Sequence, residues 1–463
     1  MLTLITLAAQ IFWMETLIRI AQFILSLSIL VTLHEFEHYI TARVFKTRVE
    51  KFYLFFDFLF PFPNLLNFAL FKKKIGETEY GLGWFPLGGY VKIAGMVDES
   101  MDEEQMKLPA QPDEFRSKKA WQRLIIMLGG IIVNILLAFV IYGQILYWWG
   151  ESYLPVENAK YGYACDSTAQ KIGLQDGDMI LGYDGDKKFR SAGTVGIDML
   201  LDGAHTIEIS RNGEHKSLEV PSSVYKEILG SKGMDFVTPI VPSFVDTIFA
   251  DMALAKAGGK KGDKIIAIDS TPIQYFHQVK RALPELKNKP VVISVLRGTD
   301  TVQLALTIPD SAKLGFYSAP EEHLDVVENE YTLLGSIPAG ISKTYQSLKG
   351  YIKQFRIVFN PELKGYKQVG SFITITQQFS ATWDWFRFWT LTAFLSVALA
   401  FVNLLPIPAL DGGHALFTLV EMITGRAPSE KFLERAQVVG MIIIFALMIF
   451  ALGNDILRNI FHW

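Results

Sequence analysis

The chain has 463 residues with a formal net charge of −3 at pH 7, and neither this balance nor any basic run indicates nucleic-acid binding. Half of its residues are hydrophobic and its mean hydropathy is +0.25, which is too apolar for an ordinary soluble protein, although 20% charged residues require water-exposed domains as well. A single cysteine, Cys165, excludes an intramolecular disulfide and a CxxC zinc site.

The N-terminal part of the chain is apolar from its start. Residues 1–16 lack the basic region and the small-residue cleavage site of a signal peptide, so we expect a short interfacial helix there. Residues 17–44 follow as the first predicted transmembrane helix, because their apolar stretch is long enough to cross a bilayer.

This first helix contains the sequence His34-Glu35-Phe36-Glu37-His38, which predicts a metal site at membrane depth. Two imidazoles four residues apart share one helix face and can hold Zn²⁺, and Glu35 is then placed to act as general base. Histidine and glutamate are costly inside a bilayer and are usually functional there. We therefore interpret His34 and His38 as zinc ligands and Glu35 as the catalytic residue.

Residues 45–120 are expected to form a cytoplasmic or membrane-embedded β region. The segment 80–96 is rich in glycine and aromatic residues and too interrupted for a helix, so it predicts short strands. A strand edge beside the metal can receive an unwound substrate, whereas a plain cytoplasmic hairpin is the alternative. The candidate substrate-binding residues in this segment are Gly83, Gly88, Gly89 and Tyr90.

Residues 121–150 form the second predicted transmembrane helix. Basic residues gather at the end of the first helix and at the start of the second, whereas acidic residues follow the second. The positive-inside rule therefore places the connection between them in the cytoplasm and the long middle region outside. The zinc motif would then lie toward the cytoplasmic side; the inverted topology is the alternative.

The middle region repeats itself at an offset of 85 residues, since residues 167–184 align with residues 252–269. Each copy predicts a short helix, a glycine turn, Gly-Asp and an alternating strand. Both copies resemble the core signature of PDZ domains, which implies two such domains at residues 155–240 and 241–322. A PDZ groove binds an extended peptide as an added strand, while domains that only restrict access by size are the alternative. The predicted groove residues are Leu314, Gly315 and Phe316.

The third predicted transmembrane helix, residues 386–408, leads into the best candidate for a third zinc ligand. Pro406 and Pro408 stop this helix, and the chain is expected to turn at Gly412-Gly413, which leaves Asp411 in non-helical backbone near the membrane. A metal would compensate this carboxylate, and His414 is the competing ligand.

Asn403, on the last turn of the third helix, is either an interhelical hydrogen-bond donor or a contact to the substrate backbone. A turn and a cytoplasmic helix are expected over residues 409–436. The fourth predicted transmembrane helix occupies residues 437–455. The sequence therefore predicts a polytopic α-helical membrane protein with four transmembrane helices, membrane-associated strands and two inserted extracytoplasmic domains.

These motifs together resemble the site-2 proteases, and most closely the bacterial RseP type with tandem PDZ domains. The resemblance implies Zn²⁺ held by His34, His38 and Asp411, with Glu35 activating water, and it implies amphipathic helices over residues 331–382 with breaks at Pro338 and Pro361. The matching sequences are His34-Glu35-Phe36-x-His38, Phe85-Pro86-Leu87-Gly88-Gly89-Tyr90-Val91-Lys92, Gly129-Gly130 with Asn134, and Asn403-Leu404-Leu405-Pro406-Ile407-Pro408 with Leu410-Asp411-Gly412-Gly413-His414.

The resemblance also implies partners and a location. The expected substrates are single-pass membrane proteins already shortened outside the membrane, such as anti-sigma factors, or remnant signal peptides, cut during regulated intramembrane proteolysis. The expected location is the bacterial cytoplasmic membrane, with the PDZ domains in the periplasm. A non-enzymatic PDZ scaffold and a zinc or proton transporter are the competing functions.

The chain departs from the family pattern at Glu37, at Gly259 of the second repeat, where leucine is usual, and at residues 371–374, which lack the usual Gly-Pro. Glu37 stands where these relatives usually have glycine. It is two residues from Glu35, about 200° around the helix, and we therefore expect it to point away from the metal. The alternatives are that it perturbs packing or accepts a hydrogen bond from a group that supports the metal ligands.

Overall fold

The structure, a computed structural model, describes residues 2–59, 65–86, 88–96, 109–185, 187–230 and 236–461. Leu87, part of the predicted strand segment, lies outside these ranges. The helices are α1 Leu2–Val44, α2 Ala120–Trp149, α3 Ser167–Lys171, α4 Val195–Asp202, α5 Ser222–Gly230, α6 Ala253–Lys256, α7 Phe276–Ala282, α8 Pro320–His323, α9 Leu333–Val358, α10 Phe372–Gln378, α11 Trp385–Asn403, α12 Asp411–Thr424 and α13 Glu430–Phe461.

The strands are two to eight residues long. They are β1 Val49–Leu54, β2 Ala69–Ile75, β3 Thr78–Gly83, β4 Tyr90–Ile93, β5 Glu151–Tyr153, β6 Tyr163–Cys165, β7 Met179–Tyr183, β8 Thr206–Arg211, β9 Glu214–Glu219, β10 Val237–Pro239, β11 Thr247–Ile248, β12 Lys264–Ile268, β13 Thr271–Pro272, β14 Pro290–Arg297, β15 Asp300–Thr307, β16 Phe316–Tyr317 and β17 Val327–Asn329.

The chain divides into two compact units. The first, which we call the membrane unit, comprises residues 1–150, 330–358 and 366–463, and the second, the inserted unit, comprises residues 151–329 and 359–365. The inserted unit is thus an insertion into the membrane unit, between α2 and the helices that follow residue 330.

Four helices of the membrane unit, among the described residues, are long and apolar enough to cross a bilayer. They are Trp13–Val44, Ala120–Trp149, Trp385–Asn403 and Glu430–Arg458. The protein is therefore a polytopic α-helical membrane protein. Because α1 runs without a break from Leu2, residues 2–16 continue the first helix instead of forming a separate short one.

Helix α2 lies at the centre of the membrane unit and packs against α1, α9, α11 and α12. Small residues allow the closest of these approaches. A Cβ added at Gly340 of α9 would lie 2.6 Å from the backbone nitrogen of Gly143 in α2, so the two helices touch backbone to backbone. Helix α9 also contains Pro338, which was expected to break it. The helix nevertheless continues through Pro338, its sixth residue, although proline lacks the N–H that would bond to the carbonyl oxygen four residues earlier.

A four-stranded sheet in the order β2-β3-β1-β4 occupies the connection between α1 and α2. Strand β1 is central, parallel to β3 and antiparallel to β4, so β4 forms one edge of the sheet. The N–H of Ala94, just after β4, donates to the carbonyl oxygen of Arg48. Because this direction alternates along a strand, the N–H of Val91 points away from β1, toward the open edge.

The inserted unit has two hydrophobic cores, one for each repeat of the sequence. The first core lies under the sheet β7-β8-β9, and the second lies under the sheet β13-β12-β14-β15. We call residues 155–240 the first module and residues 241–322 the second module. Strands β5 and β17 pair with each other where the chain enters and leaves the unit.

The same buried ion pair recurs in the two modules. In the first, Arg211 donates to both carboxylate oxygens of Asp178 at 2.7 Å and to the carbonyl oxygen of Gly173. In the second, Arg297 makes the equivalent contacts with Asp263 and Gly258. The repeat in the sequence is therefore also a repeat of tertiary contacts, although the assignment of both modules as PDZ domains stays a prediction.

Candidate metal and catalytic site

The two histidines of the α1 motif are buried and face a single carboxylate. The Nε2 atom of His34 lies 3.3 Å from Oδ2 of Asp411, and the Nε2 atom of His38 lies 3.5 Å from the same oxygen. All three potential ligand atoms lie within 4.8 Å of one another. The structure thus brings together the three residues that the sequence predicted as ligands, although Asp411 lies more than 370 residues after the two histidines in the chain.

The spacing of these atoms can be compared with a zinc site. Zinc bonds to histidine nitrogen and carboxylate oxygen are about 2.0–2.1 Å long, so two ligands of a tetrahedral site lie roughly 3.3 Å apart. The observed separations of 3.3 and 3.5 Å match this value. In addition, Oδ2 of Asp411 is buried without a hydrogen-bond partner among the described residues. The residues present therefore fit zinc by donor type, by spacing and by an unsatisfied ligand atom.

Asp411 reaches this position from the start of a helix. It is the first residue of α12, with Leu410 as N-cap, so the expectation of non-helical backbone at Asp411 and a turn at Gly412-Gly413 is wrong. The turn lies before it, and a Cβ on Gly413 would come within 2.3 Å of the carbonyl oxygen of Ile407. Gly412 and Gly413 belong to the helix, and their lack of side chains lets the proline-containing turn pack against α12. An acidic residue such as Asp411 is favourable in the first turn of a helix.

Side chains and backbone of α2 orient both imidazoles. Nδ1 of His38 donates to the carbonyl oxygen of Ile126 at 2.8 Å, which leaves the lone pair of Nε2 free to face a metal. The amide of Asn134 lies 3.1 Å from Nδ1 of His34. Its Oδ1 is buried without a partner, and an amide flip lets that oxygen accept the Nδ1 proton. Asn134 belongs to a motif of the sequence, but its role could not be predicted because its partner, His34, lies on another helix.

The glycine pair of α2 permits this approach. A Cβ at Gly130 would lie 2.5 Å from Cε1 of His34 and 2.8 Å from Nε2 of His38. Such distances are not tolerated without movement, so the absence of a side chain at this position is a condition for the site. Gly130 of the Gly129-Gly130 motif is therefore explained by the packing of α2 on the histidines.

Glu35 lines the same cavity as the three candidate ligands, which has a volume of about 270 Å³. The backbone N–H of Val91, on the open edge of β4, faces its carboxylate. A carboxylate beside the metal cluster and inside the cavity is suitably placed for a general base.

The candidate substrate-binding residues divide into two groups. Asn403, Gly88, Gly89 and Tyr90 line the cavity. The amide nitrogen of Asn403 lies 3.2 Å from Nε2 of His34, at the border of the metal cluster. Gly83, by contrast, lies in β3, where a Cβ would come within 2.2 Å of the carbonyl oxygen of Phe56. It supports the sheet and lies away from the cavity.

His414 and Gln437 also line the cavity. His414 is one turn beyond Asp411 on α12, and its side chain interacts with that of Gln437 from α13. It is not a member of the cluster of potential ligand atoms, which is formed by His34, His38 and Asp411 among the described residues. Asp411 is thus the better third ligand, and Gln437 is a cavity residue that the sequence did not indicate.

Glu37 does not line the cavity and lies beside Nδ1 of His38, on the opposite side of the ring from the Nε2 atom that faces Asp411. Its Oε2 lies 3.8 Å from Nδ1 of His38, and its side chain is 12% exposed. Around the helix axis, Glu37 is about 60° from His34 and about 100° from His38. Glu37 therefore lies on the flank of the histidine face and is covered by α2.

The second module contains a separate groove of about 500 Å³, between α7 and β16. The predicted groove residues Leu314, Gly315 and Phe316 all line it. Strand β16 pairs with β11. A groove between a helix and a strand of this kind can accept an extended peptide.

Comparison with known proteins places this site in a family. The model of the family described as Peptidase family M50 matches residues 22–447. The match includes all four residues of the candidate site.

Individual relatives cover nearly the whole chain. A protein of Vibrio cholerae serotype O1 that is named as a zinc metalloprotease is 28% identical, over 94% of this chain and 98% of its own length. A protein of Treponema pallidum with the same name is 27% identical, over 96% of this chain and all of its own length. The regulator of sigma-E protease RseP of Escherichia coli K12 is 26% identical, over 95% of this chain and 98% of its own length.

Proposed function

Because the chain belongs to peptidase family M50 and is a zinc metalloprotease, we propose that it hydrolyses transmembrane segments of single-pass membrane proteins. The proposed ligands are His34, His38 and Asp411, and the proposed general base is Glu35. The observation that carries the proposal is that two members of this cluster, His34 and His38, lie on a helix long enough to span the bilayer. A protease with its metal site on such a helix acts on peptide bonds that reach membrane depth.

Each residue has a definite task in this reaction. Bound zinc supplies a Lewis acid that acidifies water and polarises the scissile carbonyl group. Glu35 accepts the proton of the attacking water and delivers it to the leaving amine, which needs a carboxylate inside the cavity. Asn134 and the carbonyl group of Ile126 hold the two imidazoles in the tautomers that leave Nε2 unprotonated.

A transmembrane helix hides its carbonyl groups in its own hydrogen bonds, so the substrate must unwind before it is cut. The open edge of β4 offers replacement partners, since the N–H of Val91 points toward the cavity side. Gly88 and Gly89 let the chain before β4 pack closely on its neighbours, since a Cβ would lie 2.6 Å from the ring of Phe56 at Gly88 and 2.7 Å from the carbonyl oxygen of Tyr53 at Gly89. We assign β4 as the strand that pairs with substrate.

The remaining assignments follow from the same family resemblance. The substrates would be proteins already shortened outside the membrane, such as anti-sigma factors, or remnant signal peptides, in regulated intramembrane proteolysis. The two modules would be periplasmic PDZ domains, and the zinc site would lie toward the cytoplasmic side of the bacterial inner membrane. The groove beside Leu314, Gly315 and Phe316 would bind an extended peptide end.

The test is cleavage of a model single-pass substrate by the purified protein in detergent. Wild type is compared with Glu35→Gln, each with and without a zinc chelator, and zinc content is measured in parallel. We expect cleavage by wild type alone, loss on chelation with recovery on added zinc, and a zinc-loaded but inactive Glu35→Gln. A wild-type protein that holds zinc but leaves both full-length and shortened substrates intact would contradict the proposal.

A further inference from the structure

Glu37 is an acidic side chain that the reaction does not use, and it is enclosed between α1 and α2. Its side chain is 12% exposed, and Oε2 is buried with no hydrogen-bond partner among the described residues. One of the two carboxylate oxygens is thus buried without a hydrogen-bond partner, which is unfavourable for an ionised group. Such a residue on a metal-binding helix requires an explanation.

Glycine in α2 makes the room that Glu37 occupies. A Cβ built on Gly129 would lie within 2.0 Å of both carboxylate oxygens, so any larger residue there would displace Glu37. The carboxylate is therefore seated in a space that α2 leaves open for it.

The polar groups around this space limit what Glu37 can bind. The hydroxyl of Thr41 donates to the backbone oxygen of Glu37 and lies beside its carboxylate. The other nearby donor is Nδ1 of His38, 3.8 Å from Oε2, which already donates to the carbonyl oxygen of Ile126. Oε2 and the carbonyl oxygen of Ile126 thus both lie near the same N–H, and a hydrogen bond to Oε2 requires the 3.8 Å separation to shorten by about 0.6 Å.

We propose that Glu37 is a positioning residue of the zinc centre, with Oε2 sharing the Nδ1 proton of His38 with the carbonyl oxygen of Ile126. This rests on the zinc ligands proposed above. A carboxylate partner fixes the ring orientation and the tautomer of a histidine ligand and makes its Nε2 a stronger donor to the metal. Glu37 thereby replaces the glycine usual in this motif with an additional, charged support for one ligand.

The size of the effect can be anticipated. Loss of a residue that supports a metal ligand through a hydrogen bond costs about 10- to 100-fold in metal affinity. We expect Glu37→Leu, which removes both oxygens, to weaken zinc binding by about this factor. Glu37→Gln keeps the shape and one acceptor oxygen but removes the charge, so its loss should be smaller, on the order of a few-fold.

The experiment is a zinc titration of the detergent-purified full-length protein against a competing chelator, for wild type, Glu37→Leu and Glu37→Gln. Glu15→Gln, on the same helix but far from the motif, controls for the loss of an acidic residue. The electronic spectrum of the Co²⁺-substituted protein is recorded as well, because its ligand-field bands report the geometry at the metal. A packing role alone would leave these bands unchanged in Glu37→Gln.

The expected result is a graded loss of zinc affinity from wild type through Glu37→Gln to Glu37→Leu, with shifted Co²⁺ bands and unchanged Glu15→Gln. Zinc affinities within about twofold of wild type in both Glu37 variants would overturn the inference. That outcome leaves the protease assignment intact, since the latter fails only if the zinc-loaded wild type cuts no substrate.

Discussion

Gly130 and His34 lie in such close contact that a Cβ on the glycine would be 2.5 Å from Cε1 of the imidazole. Gly130→Ala should improve the intrinsic helix propensity of α2 by about 1 kcal/mol. It should nevertheless push α2 away from α1 and misplace both histidines, because the same Cβ would lie 2.8 Å from Nε2 of His38. We expect at least about a tenfold loss of zinc affinity, measured by chelator competition.

The matched control is Gly143→Ala on the same helix. There a Cβ would meet its nearest neighbour, the carbonyl oxygen of Ser336, at 3.4 Å, which is an ordinary contact. This variant should bind zinc like wild type. Equal zinc affinities for the two variants would show that α2 does not need close contact with the histidines.

The open edge of β4 gives a second prediction. Val91→Pro removes the N–H that points toward the Glu35 side while keeping the ladder to β1, since a proline is tolerated at an edge position whose N–H is not used in the sheet. Cleavage of a transmembrane substrate should fall by about tenfold or more, with zinc content unchanged. Proline at Leu82 would be a poorer test, because β3 lies between β2 and β1 and the sheet itself would be disrupted.

Val91→Leu is the control for this variant, because it changes the side chain but keeps the N–H. It should retain most of the activity. If Val91→Pro and Val91→Leu cleave at the same rate, the substrate does not depend on this edge of β4.

The parts of the site that could be predicted are those encoded locally. His34 and His38 are four residues apart on one helix, and this spacing alone places both on one face. Asp411 was identified from the cost of a carboxylate near membrane depth, although its helical conformation was not. The role of Gly413, which is to let the proline-containing turn pack against α12, depends on tertiary contacts and has no local signature in the sequence.

The parts that could not be predicted depend on contacts between helices. The acceptor for His38 is the backbone carbonyl group of Ile126, which has no signature in the sequence. The contact of Glu37 with the Nδ1 side of His38 depends on the space left by Gly129 of α2, which the helix angle from Glu35 does not reveal. Pro338 was expected to break a helix that in fact continues through it, from Leu333 to Val358.

Cys165 offers a reporter for the first module. Burial raises the pKa of its thiol to about 12, and the carboxylates of Asp176 and Asp178 act in the same direction. At pH 8 the folded module should therefore react very slowly with a thiol reagent, whereas an unfolded cysteine, with a pKa of about 8.5, reacts readily. The labelling rate of this single cysteine then measures how often the module opens.

Asp178→Asn should increase that rate. It removes the charge that holds Arg211 through two hydrogen bonds, a loss of about 2–3 kcal/mol, which corresponds to about 30- to 150-fold faster labelling. Asp263→Asn removes the equivalent pair with Arg297 in the second module and should leave the labelling of Cys165 within about twofold of wild type. Equal acceleration by both variants would mean that the two modules unfold as one.

Asp455 ties the last transmembrane helix to the segment that follows the inserted unit. It lies on α13 and is 1% exposed. Its Oδ2 accepts hydrogen bonds from the N–H and the hydroxyl of Ser371 and from the N–H of Thr374, and its Oδ1 accepts from the hydroxyl of Thr374. One carboxylate thus accepts hydrogen bonds from the four donors of Ser371 and Thr374 at the start of α10.

Asp455→Asn replaces one acceptor oxygen by an amide that donates, so at least one of these donors loses its partner. We expect a loss of about 1–3 kcal/mol in the stability of this attachment, seen as faster hydrogen exchange of the backbone amides of Ser371 and Thr374. Asp384→Asn is the control, because Asp384 caps α11 through a single exposed hydrogen bond to the N–H of Arg387 and should change exchange only at that helix end. Unchanged exchange at Ser371 and Thr374 in Asp455→Asn would mean that α10 is held in place by its apolar contacts instead.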